Sequence, residues 1–258
     1  MSIKNKIYFV SDIHLGSSVF NGSREREKRL VRWLDSIKEE AKALFFLGDI
    51  FDFWFEYKKA VPRGFTRFLG KLAELSDAGV EIHYCTGNHD IWVFDYLPQE
   101  IGLTLHKEPF VTEISGKTFF LAHGDGQHDN SFAFKLIRGI FHNRICQFLF
   151  RLLHPDFGIK LAHLWANYSR RKELKRPVSY LGEDKEHLVL FAKSYIKTHP
   201  EIDYFIFGHR HILLDLMLTP KNRITIVGDW LQHFSYAVFD GNELVIEQYN
   251  FKQRLKTL

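Results

Sequence analysis

Six short apolar runs in this chain each end in a turn bearing aspartate, asparagine or histidine, and no other feature limits the possible folds as strongly. The run at 7–10 leads into Ser11-Asp12-Ile13-His14, that at 43–47 into Gly48-Asp49, and that at 80–85 into Thr86-Gly87-Asn88-His89-Asp90. Farther on, 117–122 leads into His123-Gly124-Asp125, 204–207 into Gly208-His209-Arg210-His211, and 224–227 into Gly228-Asp229-Trp230. Short runs rich in Ile, Val, Phe and Tyr and closed by Gly or Asp read as buried strands. Between the early ones lie helical stretches at about 23–42 and 62–77, so strand and helix alternate as in a layered α/β domain. The runs near 114–122 and 234–248 read as hairpin-connected strands, making part of the sheet antiparallel.

Ligands of such sheets gather beyond the carboxyl ends of the strands, where these six turns would converge. Asp12, His14, Asp49, Asn88, His123, His209 and His211 are all oxygen or imidazole donors, a mixture that suits manganese, iron or zinc better than calcium. Asp12 and His14 lie two apart, so an extended segment would point both to one side, and His209 and His211 repeat the spacing. Seven ligands exceed one tetrahedral ion but fit two ions sharing a carboxylate. Two metals about 3.5–4 Å apart form a clamp for phosphoryl displacement. A single Asp-x-His is common and a lone histidine after a strand is mostly surface; the whole ordered set is not a coincidence.

Composition narrows the class. With 45% hydrophobic residues in 258, the chain has ample apolar material for a core, which excludes disorder as its main state. The length suits one domain over 1–258 with a sizeable insertion. Cys85 and Cys146 are too few for a disulfide scaffold or thiolate cluster and read as small buried residues in a reducing compartment. The N-terminal apolar run is too short for a signal peptide, and no later run reaches bilayer length, which gives a cytoplasmic expectation. Fourteen histidines invite a search for metal sites, and 25 phenylalanines for a greasy surface or pocket.

The order Asp12-x-His14, Gly48-Asp49, Gly87-Asn88-His89-Asp90, His123-Gly124-Asp125, Gly208-His209-x-His211 resembles the calcineurin-like metallophosphoesterase superfamily. The resemblance implies an α/β fold: a two-layered β-sandwich flanked by helices, with two divalent ions, manganese foremost, at one sheet edge. It implies that Asp12, His14 and His211 hold one ion, Asn88, His123 and His209 the other, and that Asp49 bridges them. A hydroxide between the ions would attack phosphorus while Asn88 helps neutralise the developing charge. His89 would act on the leaving oxygen, with Asp90 orienting its ring.

Finer features resemble the UDP-2,3-diacylglucosamine pyrophosphatase family of lipid A synthesis. They are Gly48-Asp49-Ile50-Phe51-Asp52-Phe53-Trp54, Val227-Gly228-Asp229-Trp230, and a helical stretch following His123-Gly124-Asp125. This resemblance implies cleavage of UDP-2,3-diacylglucosamine to UMP and 2,3-diacylglucosamine 1-phosphate. The chain carries His89 where well-known members of that family carry arginine; arginine is a fixed planar cation, whereas histidine can also deliver a proton. The same site would serve a nuclease or cyclic-nucleotide phosphodiesterase. A non-catalytic scaffold is disfavoured because all seven donors are kept.

The stretch at about 126–178 reads as helix almost throughout, an insertion or lid on the α/β domain. Phe132, Phe134, Ile137, Ile140, Phe141, Ile145, Phe148, Leu149, Leu152 and Leu153 recur at helical spacings, interleaved with Lys135, Arg138, Arg144 and Arg151. A second basic cluster follows: Arg170, Arg171, Lys172, Lys175 and Arg176. Apolar faces with cations suit an anionic bilayer surface or a lid over a phosphorylated lipid, against the plainer alternative of packing on the domain. Loose matching to the family's lid adds Asp129, Ser169, Arg170 and Lys172 to Asn88, His89 and His209 as headgroup contacts. The expected partners are an acylated UDP-sugar and the cytoplasmic face of the inner membrane. With a net charge of only +4 and no basic stripe elsewhere, no nucleic acid is expected, and no obligate protein partner is inferred.

Overall fold

In the computed structural model, residues 4–17, 19, 22–127, 132–173 and 179–250 are described, without the side chains of 132–135 and 168–173. Four strands run parallel in one sheet: β1 (Lys6–Val10), β2 (Ala41–Leu47), β3 (Glu81–Cys85) and β4 (Thr104–His106). The second sheet holds β5 (Phe110–Ile114), β6 (Lys117–Leu121), β7 (Tyr204–Phe207), β8 (Leu213–Met217) and β9 (Arg223–Val227) in the order β5-β6-β7-β9-β8. The hairpin of β10 (Ser235–Phe239) and β11 (Leu244–Gln248) returns to the first sheet, where β10 lies antiparallel to β1.

The two-residue side-chain period sorts the apolar residues into layers. Ile7, Phe9, Phe45 and Leu47 face Phe119, Leu121 and Ile206 of the other sheet. The ring of Phe9 stacks 5.2 Å from Phe45 and 5.8 Å from Phe119, joining the sheets. Tyr8, Val10, Leu44 and Phe46 face outward and are covered by Trp33, Leu34, Phe68 and Leu72 of α1 (Ser23–Ile37) and α2 (Thr66–Asp77). The outer face of the second sheet, with Phe120, Phe205 and Ile224, is covered by Leu188, Val189 and Ala192 of α7 (His187–Tyr195). The protein is thus the expected two-layer sandwich flanked by helices.

Some boundaries differ from the expectation. The helix expected over 23–42 stops at Ile37, because Lys6 pairs with Ala41 and draws that segment into the sheet. The helix expected from 62 begins at Thr66, after Gly64 and Phe65 adopt left-handed backbone at φ 109° and 59°. Cys85 is buried as expected, but Cys146 is only half-buried; both are free.

The short α3 (Tyr96–Ile101) precedes β4, and three helices follow β6: α4 (Phe132–His142), α5 (Arg144–Arg151) and α6 (Pro155–Glu173). Phe141, Phe150, Ile159 and Ala162 from these helices pack on Phe53, Phe55 and Trp92, residues of the loops after β2 and β3. Among the described residues, no helix is long and apolar enough to cross a membrane.

Candidate metal centre

Backbone hydrogen bonds draw the strand-end turns together across both sheets. The Asp12 N–H donates to the Gly48 carbonyl (3.1 Å), Trp230 N–H to Asp12 (3.1 Å) and Gly208 N–H to His123 (2.9 Å). The Asp12 and His14 pair is not extended: both are left-handed, at φ 55° and 49°, and so are Asp49, His209 and His211 at 53°, 65° and 52°. Non-glycine residues adopt that region at a cost, and such strain collects at functional sites. Three glycines permit the close approach. A Cβ at Gly208 would stand 2.5 Å from Asp12 Oδ2; one at Gly48 would meet His123 Nδ1 at 2.7 Å; one at Gly87 would meet the Asp49 backbone nitrogen at 2.6 Å.

Donor atoms of Asp12, His14 and His211 converge within 4.8 Å of one another, as do those of Asp12, Asp49 and His123, and those of His14, Asp49 and His89. Asp49 links the groups, its Oδ2 lying 3.4 Å from His123 Nε2 and 3.8 Å from His14 Nε2. His123 Nε2 in turn lies 3.2 Å from Asn88 Oδ1 and 3.3 Å from His209 Nδ1. All seven expected donors therefore meet at one place.

The ring orientations follow from what lies behind each histidine. His123 Nδ1 is 2.8 Å from the Leu47 carbonyl, which can only accept, so Nδ1 carries a proton and Nε2 faces the cluster. His211 Nδ1 is 3.2 Å from Asp229 Oδ2, and His14 Nδ1 is 3.7 Å from Asp52 Oδ1, which turns both Nε2 atoms toward Asp12, at 3.4 and 3.7 Å. Carboxylates or carbonyls behind histidines are the usual support of metal-ligating imidazoles. Sequence reasoning assigned no role to Asp52 or Asp229, although both stand inside the two stretches that carried the finer resemblance. It also passed over Glu186, which is buried and accepts two hydrogen bonds from Arg210, and His187, whose ring lies 6.4 Å from that of His209.

Asp90 works on the backbone rather than on the His89 ring. Its carboxylate accepts from the Gly87 and Ile50 N–H groups, both at 2.7 Å, and from the Tyr84 hydroxyl at 2.6 Å. It thereby ties the third motif loop to the second. The partner of His89 Nδ1 is the Asp52 carbonyl, at 3.0 Å.

Charge in this pocket asks for cations. Burial pushes the Asp12 carboxyl up, and Asp12 Oδ1 is buried without a hydrogen-bond partner. Burial opposes ionisation of Asp49 too, but the His123 and His89 imidazoles beside it hold it well below the usual carboxylate range. Burial drives His209 well below its ordinary value, keeping it a neutral donor. Burial opposes protonation of His123, but the carboxylates beside it raise its imidazole well above the ordinary value. Buried carboxylates interleaved with imidazoles fit divalent transition metals. Of the expected headgroup contacts, Asp129 lies outside the described residues; Lys175 and Arg176 of the basic cluster lie outside them too. So do the side chains of Ser169, Arg170 and Lys172, and those of Phe132, Phe134, Lys135 and Arg171.

Beside the donors opens an apolar cavity of about 310 Å3, with Asn88, His89 and Asp52 at one side and Trp92, Phe141, Phe150, Leu161 and Trp165 among its walls. Phe148, which the sequence places on the same apolar face as Phe141, is 57% exposed, and Phe150 is the α5 residue that lines the cavity.

A metal-donor cluster at the carboxyl ends of a helix-flanked β-sandwich defines a metal-dependent phosphoesterase. The family model described as calcineurin-like phosphoesterase matches residues 5–213, and the chain belongs to that family. Within it, the chain is 45% identical to a protein of Porphyromonas gingivalis named UDP-2,3-diacylglucosamine hydrolase, over 95% of this chain and 98% of that one. It is 27% identical to the protein of that name from Neisseria meningitidis serogroup A, over 89% and 91% of the two chains. A Nitrosococcus oceani protein of that name is 24% identical over 86% of each. The protein is a metal-dependent hydrolase.

Proposed function

We propose that the protein hydrolyses the pyrophosphate of UDP-2,3-diacylglucosamine, releasing UMP and 2,3-diacylglucosamine 1-phosphate, in lipid A synthesis on the cytoplasmic side of the inner membrane. One observation carries the substrate assignment: the apolar cavity opens directly onto Asn88 and His89. A diacylated sugar pyrophosphate needs an apolar chamber and a phosphate-handling cluster side by side, whereas nucleic acids and cyclic nucleotides have no use for such a chamber. The relatives' shared name supports the same reading.

On this reading Asp12, His14 and His211 would hold one divalent ion, Asn88, His123 and His209 a second, and Asp49 would be shared, with manganese the expected metal. Bound there, such ions supply positive charge to the phosphoryl oxygens and acidify a water. The chain's own part is orientation. The Asp52 carbonyl holds the His89 Nδ1 proton, so Nε2 is the ring atom that serves the leaving phosphate oxygen; the His89 ring lies 5.1 Å from that of His14. Asn88 offers its side-chain N–H groups to the same phosphate. Helices α4–α6 act as a lid whose inner face, through Phe141 and Phe150, takes the acyl chains and excludes water. The exposed apolar residues of its outer face support peripheral contact with the membrane.

Incubation with manganese and UDP-2,3-diacylglucosamine, following UMP, tests the proposal, with Asp49→Asn as control. Metal-dependent release, lost in the control by two or more orders of magnitude, is expected. Absence of release, with good turnover of a generic aryl phosphodiester, would assign the site to another substrate.

A further inference from the structure

Helix α5 divides two spaces of opposite character. Its Phe150 stands 4.7 Å from Phe55 and 4.9 Å from Trp92 and faces the apolar cavity. Arg144, Gln147, Phe148 and Arg151, spaced i, i+3, i+4, i+7, form a separate stripe along the helix. All four border a second cleft of about 490 Å3, which Lys107 lines as well. A third stripe, Ile145, Leu149 and Leu152, is 69%, 56% and 66% exposed.

Three cations thus line this cleft, and no aspartate or glutamate does. Among the described residues no carboxylate pairs with Lys107, Arg144 or Arg151, whereas neighbouring Arg138 stands 3.7 Å from Glu108. Glu108 and Asp125 lie near His142 of the cleft wall but outside the lining. Cations gathered with no carboxylate among them attract an anion, and arginine matches phosphate through parallel N–H donors. The exposed apolar stripe bears on where that phosphate comes from. A helix with arginines at both ends and an uncovered apolar face is suited to the interfacial plane of a bilayer, beside lipid headgroups.

We propose that the cleft between α5 and Lys107 holds the phosphate of an anionic phospholipid, making docking of the protein selective for acidic membranes. The proposal extends the membrane contact of the preceding section by naming the lipid class, and rests on that reading only for the contact itself.

Cosedimentation of the full chain with vesicles of phosphatidylcholine alone, or mixed with phosphatidylglycerol, tests it. The variants are Lys107→Gln, Arg144→Gln with Arg151→Gln, and Lys160→Gln as an exposed lysine outside the cleft; melting curves verify folding. Preferential partitioning onto the phosphatidylglycerol vesicles is expected, falling about fivefold per cleft cation removed and little for Lys160→Gln. Equal partitioning of folded wild type and cleft variants would overturn the proposal. So would an equal loss on changing Lys160, which marks diffuse attraction. Calorimetric titration with glycerol 3-phosphate provides the other arm: cation-dependent binding of that soluble phosphate with no vesicle preference would overturn the lipid assignment. No readout uses UMP release, so failure of docking and failure of the proposed reaction are told apart.

Discussion

Asp229 Oδ2 stands 3.2 Å from His211 Nδ1 and holds the ring with its other nitrogen toward Asp12. The carboxylate is itself fixed, because its Oδ1 accepts from the backbone N–H groups of Leu231, Gln232 and His233 at 3.0, 2.7 and 3.1 Å. Burial opposes its ionisation, but the His211 ring and those amides keep it below the ordinary value. Asp229→Asn retains the acceptor for the amides and removes the charge behind His211. Metal affinity is expected to fall about 10–100-fold, with the melting temperature of the metal-free protein little changed. A metal titration giving the wild-type affinity would refute this support role.

Gly208 lets the last motif lie against the first: the His209 N–H donates to Asp12 Oδ2 at 2.8 Å, and a Cβ at position 208 would stand 2.5 Å from that oxygen. Ser11 and Asp12, which that Cβ would meet, are both buried, so Gly208→Ala is expected to cost about 1–3 kcal/mol of stability and to lower metal content. Gly139, in α4, has nothing within 4 Å of its Cβ position, and Gly139→Ala should stabilise by about 0.5–1 kcal/mol. Urea titrations of the two variants give the comparison; similar effects of both would remove the packing explanation.

Phe150 packs on Phe53, Phe55 and Trp92 of the loops after β2 and β3 and lines the apolar cavity. Phe150→Asp places a charge where acyl chains are proposed to lie. Turnover of the diacyl substrate is expected to fall at least about tenfold, while a small aryl phosphodiester is hydrolysed at close to the wild-type rate. Parallel loss on both substrates would attribute the effect to folding.

The pair His83 and His106 makes stability pH-dependent. Their Nδ1 and Nε2 atoms are 3.1 Å apart, and the rings stack on Phe45 and Phe110. Burial, and then the neighbouring His83, lower His106 to about 4, and burial lowers His83. Unfolded histidine titrates near about 6.5. Above that value both states are neutral and this contribution is present in full. As pH falls from about 6.5 toward 4, the unfolded chain takes up protons that the folded pair refuses, and stability drops. His106→Phe should flatten the melting temperature profile over that window, relative to wild type. Parallel profiles would show that the pair does not carry the effect.

Much of the site was readable before any fold existed. The strands that position it are runs of large apolar residues, and their periodicity survives translation into burial because both faces of β1 and β2 are covered. The donors were legible because metal chemistry restricts them to a few residue types at strand ends. The support behind them was not: Asp52 and Asp229 stand in the stretches that carry the resemblance but have no role until the histidines they brace are brought beside them. Asp90 read as a partner of the ring next to it in sequence, whereas three-dimensional packing spends it on loop amides. Helix ends near Ile37 and Thr66 escaped for a similar reason, since pairing of Lys6 with Ala41 and left-handed backbone at Phe65 override local propensity.

The sequence by itself determined the layer class of the fold, the seven side chains that the strand ends bring together, and the amphipathic character of helices α4 and α5, because residue type and spacing encode those directly. Only the tertiary structure decided which donors face one another, which phenylalanine of α5 turns inward, and that three cations share a cleft without a carboxylate. Those relationships join residues tens to hundreds of positions apart, as Asp12 and His209 are joined, and local sequence carries no record of distances that the packing of two sheets creates.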